Sequence, residues 1–137
     1  MRALQIPVPL LERIYAHARD AFPHECCGYL VGPNATVDEV VPCKNAETDV
    51  PDRGFLIADR ELFDFARSFD TARPARIVYH SHPNGRAYFS DTDRAMAVDA
   101  AYPVQHVVVG VTAEGVAECA QFVLVGNDIV ELARWQP

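Results

Sequence analysis

From Gln105 onward the chain is written almost wholly as strands. The runs Gln105–Val111, Val116–Val125 and Asp128–Trp135 are separated by the turn pairs Glu114-Gly115 and Gly126-Asn127. A meander of this kind has an apolar face to bury and nothing of its own to bury it against, so the residues before it must supply the covering layer. They do so by alternating helical and strand patterns. Over Val8–Phe22 the apolar positions Leu10, Leu11, Ile14, Ala18, Ala21 and Phe22 recur at helical spacing, and Pro23 ends the helix. Cys27–Val31 is a short apolar strand closed by Gly32-Pro33-Asn34, and Thr36–Cys43 reads as its antiparallel neighbour. Asn45–Gly54 reads as a loop and Phe55–Ala58 as a short strand. Asp59 reads as the cap of a helix that turns Leu62, Phe63, Ala66 and Phe69 inward and ends before Pro74. Arg76–Tyr79 is a strand entering His80, Ser81–Phe89 is a loop, and an alanine-rich helix starts at Ser90. The pattern predicts an α/β/α sandwich around a mixed, largely antiparallel sheet. With 137 residues, 50% of them apolar, one domain over 1–137 can bury an adequate core.

A formal net charge of -7, with the basic residues scattered, argues against a nucleic-acid binder, which needs clustered Lys and Arg. No run is long and apolar enough to cross a membrane. The first residues are interrupted by Pro7, Pro9 and charges where a secretory signal needs an apolar core. The expectation is a soluble, cytoplasmic protein without a membrane partner. Cys26, Cys27, Cys43 and Cys119 form no Cys-x-x-Cys pair and read as buried, reduced thiols.

The chemistry is concentrated in His80-Ser81-His82-Pro83, followed by Ser90 and Asp93. On an extended segment residues i and i+2 share a face, so His80 and His82 can converge on one ion. Pro83 stops the strand, and the loop lets Asp93, on the first turn of the next helix, return to the same point. Two imidazoles and a carboxylate suit Zn²⁺ better than Mg²⁺ or Ca²⁺, and three protein ligands leave a fourth position open, as in catalytic sites. Each fragment has a plainer explanation. His-x-His at a strand end is usually two partly exposed imidazoles, Ser90-x-x-Asp93 is also a helix-start signature, and an isolated Glu25 would read as a solvated acid. His17, His24 and His106 receive no role.

The string His80-x-His82-Pro83, six residues, Ser90-x-x-Asp93 resembles the JAMM (MPN-plus) metallopeptidase signature position for position, and Glu25, just before the Cys27–Gly32 strand, is similar to that family's separate glutamate. The resemblance covers most of the chain and implies the JAMM fold, which is similar to that of cytidine deaminases. It implies one zinc per chain on His80, His82 and Asp93, Glu25 as the proton carrier, and Ser90 as donor to the oxyanion. Pro23-His24-Glu25, Phe55–Asp59 and Ala87–Ser90 look most like prokaryotic stand-alone members that clip the C-terminal tails of ubiquitin-like sulfur carriers. The implied substrate is therefore the Gly-Gly tail of a ubiquitin-like or sulfur-carrier protein, with Asn45–Gly54 as a candidate cover. A linkage-unspecific deubiquitinase-like isopeptidase, a non-catalytic MPN scaffold and a small-molecule zinc hydrolase are the alternatives. A homodimer is left open. The zinc deaminases carry Pro-Cys-x-x-Cys ligands, which this chain lacks.

Overall fold

In the computed structural model, which describes residues 1–137, helix α1 (Val8–Ala21) leads into the hairpin of β1 (Cys27–Val31) and β2 (Glu39–Cys43). Helix α2 (Asp59–Ser68), strand β3 (Ala75–His82) and helix α3 (Asp91–Ala100) follow, and β4 (Gln105–Thr112), β5 (Gly115–Val125) and β6 (Asp128–Trp135) complete the chain. The strands form one sheet in the order β2-β1-β3-β4-β5-β6. Only β3 and β4 run parallel. Their connection must cross over the sheet, and α3 is that crossover, as parallel neighbours require. The expected mixed, largely antiparallel sheet is what forms.

Period-two alternation sorts the sheet into two faces. On one, Leu10, Ile14 and Ala18 of α1 pack on Leu30, Val40, Ile77, Tyr79, Val107 and Val109. On the other, Phe65 of α2 packs with Tyr29, Val31 and Val78, while Ala87 and Phe89 lie on Val108, Ala120 and Phe122. His80 and His82, in step with Val78, therefore point to the side that carries α2 and α3.

Four local expectations need correction. The second strand starts at Glu39, not Thr36, because Asn34 and Ala35 both take left-handed φ and Thr36 N donates to Pro33 O, so the turn runs through Val37. Phe55–Ala58 is extended but joins no ladder. Leu56 instead bonds to residues 45 and 46, its O accepting from Ala46 N and its N donating to Asn45 Oδ1. Asp59 is not the cap of α2: Ala58 holds that position in an extended conformation, and Asp59 is the first helical residue. In α2 itself Leu62, Phe63 and Ala66 are exposed, and Phe65 is the buried residue, with Phe69 half-buried beside it. Phe65 is selected by edge-on contacts with Tyr29 of β1 and with Tyr102 in the connection from α3 to β4, at ring-centroid distances of 5.1 and 4.9 Å.

Candidate metal centre

Strand register brings the site together. Antiparallel β1 and β3 pair Cys27 with His80, so continuing the register by two residues sets Glu25 opposite His82 on the same face. The register is pinned where it ends: Ser81 N donates to Cys26 O at 3.1 Å, and Cys26 N donates to Ser81 Oγ at 2.8 Å. Glu25 is held from its other side by the 45–54 loop. Its N donates to Pro51 O at 2.7 Å, and Asn45 Nδ2 donates to both Glu25 O and Gly54 O at 3.1 Å.

The crossover supplies the remaining carboxylate. Ser90 caps α3, its Oγ accepting from Asp93 N at 3.0 Å, while Ser90 N donates to Asp93 Oδ2 at 3.1 Å. That reciprocal cap fixes the Asp93 carboxylate at the helix start, where the macrodipole favours negative charge. The same Oδ2 lies 3.0 Å from His80 Nε2 and 3.1 Å from His82 Nε2. The Ser90 hydroxyl, accepting through oxygen, keeps its proton for another partner.

Aromatic rings wall the imidazoles. Phe55 stacks on His80 at a centroid distance of 4.6 Å, Phe89 meets its edge at 6.4 Å, and Tyr88 lies 4.7 Å from the His82 ring. The loop bearing Tyr88 and Phe89 is gripped from the far strands. Ala87 N donates to Glu118 Oε1 at 2.9 Å, Arg134 Nη2 donates to Ala87 O at 2.8 Å, and Arg134 Nη1 pairs with Glu118 Oε2 at 3.1 Å. The same loop crosses β4 at Gly110, where a Cβ would lie 2.4 Å from the Gly85 carbonyl carbon. Only glycine admits that approach.

Glu25, His80, His82 and Asp93 are all buried. Burial pushes the Glu25 carboxyl up to about 8, helped by the nearby charges of Asp93 and Asp52. Burial also lowers His80, leaving a neutral imidazole, the form that binds metals. Asp93 resists the upward effect of its own burial. Attraction to His80 whenever that imidazole carries a proton, and hydrogen bonds from His80, His82 and the Ser90 backbone, hold it below the usual carboxylate range.

This donor set fits a metal ion. Glu25, His80 and His82 form a buried group whose donor atoms lie within 4.8 Å of one another, and Glu25 Oε1 has no hydrogen-bond partner. Ligands about 2.0–2.1 Å from a tetrahedral zinc ion stand about 3.3–3.4 Å apart. The His80 Nε2, His82 Nε2 and Asp93 Oδ2 triangle has edges of 3.2, 3.0 and 3.1 Å. All five residues singled out from the sequence, Ser90 included, thus gather at one place. Phe55, Tyr88, Glu118 and Arg134 were not singled out. Nothing in the string marks Phe55, which follows a loop glycine, or Glu118 and Arg134, which read as ordinary strand charges. His17 hydrogen-bonds Tyr79 OH at 2.7 Å on the opposite face, and the four cysteines are free and buried.

A six-stranded mixed sheet with a buried carboxylate–histidine centre at the end of its parallel pair defines an α/β domain with a candidate metal site. The family described as prokaryotic homologs of the JAB domain matches residues 7–132, and the chain belongs to it. Curated relatives include the CysO-cysteine peptidase of Mycobacterium tuberculosis, 33% identical over 98 residues that make up 70% of this chain and 66% of the peptidase. The tail tip assembly protein K of Escherichia phage N15 is also 33% identical over 98 residues, covering 72% of this chain and 37% of the phage protein. The chain thus spans less than two thirds of either relative's length. Among solved structures, a Desulfitobacterium hafniense protein superposes with a TM-score of 0.70 at 23% identity, covering 94% of this chain and 89% of that one. A Salinibacter ruber protein gives 0.66 at 25% identity, covering 96% and 90%. These likenesses support the fold. No helix is long and apolar enough to cross a membrane.

Proposed function

We propose that this chain is a zinc-dependent peptidase that hydrolyses a peptide or isopeptide bond at the Gly-Gly tail of a small ubiquitin-like or sulfur-carrier protein. The observation that carries the reading is the convergence of His80 Nε2, His82 Nε2 and Asp93 Oδ2 within 3.0–3.2 Å of one another beside an unpaired, buried Glu25 oxygen. The relative named CysO-cysteine peptidase supports peptide chemistry.

His80, His82 and Asp93 would hold the ion, one per chain, and the stacked Phe55 ring fixes the His80 plane and excludes water from its face. Bound zinc supplies Lewis acidity and a water nucleophilic near neutral pH. Glu25, opposite His82, takes the proton of the attacking water and returns it to the leaving amine, contributing about 10²- to 10⁴-fold. Ser90 donates its free hydroxyl proton to the carbonyl oxygen as negative charge develops there. An extended tail ending in glycines lets the scissile carbonyl approach a centre this deeply buried. The 45–54 loop, tied to both ends of the Glu25 peptide unit, is placed to lie over it.

The test pairs metal analysis with mass spectrometry of a ubiquitin-like carrier bearing residues beyond its Gly-Gly. Wild type should hold about one zinc and trim the carrier to Gly-Gly. His82→Ala should lose both metal and activity, and Glu25→Gln should keep the metal and lose turnover. A Glu25→Gln protein that has lost its zinc would make Glu25 a ligand. One that cuts at wild-type rate would remove it from proton transfer.

A further inference from the structure

A cavity of about 230 Å³ opens from the metal centre, with His80 and Asp93 in its wall. It runs along the sheet between α2 and α3, toward Tyr102 and Val104. Apart from those two site residues and His106, every lining group is apolar, among them Phe55, Ile57, Phe65 and Met96. Burial lowers His106 to about 4, so it stays a neutral imidazole on the cavity wall.

Large apolar side chains are left in water around this opening. Leu56 is 44% exposed, Leu62 39% and Tyr102 38%, and all three line the cavity. Single exposed apolar residues are ordinary, but a group around one concave opening marks a binding surface. Leu62 of α2, expected in the core, faces this mouth instead.

Size and composition narrow the occupant. Pockets that enclose a whole small molecule run to roughly 300–1,000 Å³. This one is smaller and continues directly into the metal centre, which suits a side chain of a larger substrate whose backbone passes the ion. A carboxylate, ammonium or amide would lose its water there with one imidazole to replace it. We infer that the cavity is a specificity subsite for one apolar side chain, of leucine, methionine or phenylalanine type, carried by the substrate segment that lies at the metal centre. The inference rests on the peptidase reading and adds what that reading lacks, a side-chain requirement beyond the glycines.

The experiment uses the zinc-loaded full chain and acetylated peptides ending in Gly-Gly-aminomethylcoumarin, with Leu, Ala or Asp placed in turn at each position before the glycines. At one position Leu should raise kcat/KM at least about tenfold over Ala and further over Asp. Ala97→Leu, which fills the cavity from α3, should abolish that advantage, bringing kcat/KM for the Leu peptide down to that for the Ala peptide. A separate arm needs no catalysis: N-acetyl-leucine amide titrated into the wild-type chain should shift the methyl resonances of Ile57, Leu62, Met96 and Val104, and N-acetyl-aspartate amide should not. Cleavage without preference among Leu, Ala and Asp, a preference that survives Ala97→Leu, or unmoved methyl resonances would each overturn the subsite. If no peptide is cut while the leucine amide still shifts those methyls, the peptidase reading fails and the subsite stands.

Discussion

The buried Glu25 carboxyl should make the metal-free fold lose stability as pH rises, and Glu25→Gln should cancel that loss. Burial raises the folded-state value from the ordinary 4.5 to about 8. A group whose pKa is raised on folding favours the folded state when protonated. Its contribution is therefore complete below about 4.5, falls through the interval, and is gone above about 8. Integrating the proton linkage between those two values gives a loss of about 2–3 kcal/mol from pH 5 to pH 7, and about 4 kcal/mol by pH 9. Glutamine occupies the same space and does not ionise. The measurement is urea unfolding of chelator-treated wild type and Glu25→Gln at several pH values between these limits. The stability difference should grow in favour of the variant by about 2–3 kcal/mol from pH 5 to pH 7. Zinc should flatten the wild-type curve, because a cation at His80 and His82 favours the carboxylate. Parallel curves for the two metal-free proteins would refute the reasoning and place Glu25 in contact with solvent.

Zinc affinity should rise from pH 6 to pH 8, since ionising Glu25 and neutral imidazoles favour the bound ion; competition with a chromophoric chelator reads this directly. Arg134→Ala removes a half-exposed ion pair, so it should cost under about 1 kcal/mol in denaturation, yet it frees the loop before Ser90 and should lower kcat by about tenfold with KM little changed. Gly110→Ala forces a Cβ to within 2.4 Å of the Gly85 backbone and should destabilise the fold by about 1–3 kcal/mol, seen as a lower denaturant midpoint. Replacing the last tail glycine of a cleaved carrier with valine should slow trimming at least about tenfold in the mass-spectrometric assay.

The centre was legible because its parts obey short rules. The i, i+2 repeat of His80 and His82 needs only a strand, and Ser90-x-x-Asp93 needs only a capped helix. What joins them to Glu25 is the pairing of β1 with β3, a register of residues 44 to 53 positions apart that no local pattern encodes. Helix α2 failed for a related reason. With apolar residues at 62, 63, 65, 66 and 69 it offers two faces of similar character, and the choice of Phe65 was made by Tyr29 and Tyr102 on other elements. The Phe65–Phe69 pair, four residues apart, was the available signal for the inward face. Phe55–Ala58 has strand-like composition, but its backbone bonds to residues 45 and 46 of the loop and not to a strand of the sheet.

The grip of Glu118 and Arg134 on Ala87 also has a temporal side. During synthesis the last residue of the metal centre, Asp93, is added 41 residues before Arg134. At about 5–20 residues per second that interval lasts roughly 2–8 s. Through its first part the imidazoles and carboxylates already exist while the loop that carries Tyr88 and Phe89 lacks both holders, and until Arg134 arrives Glu118 alone can hold it. An ion captured early on the ribosome would meet an unfastened wall, and the finished enclosure waits on the arrival of the final strand.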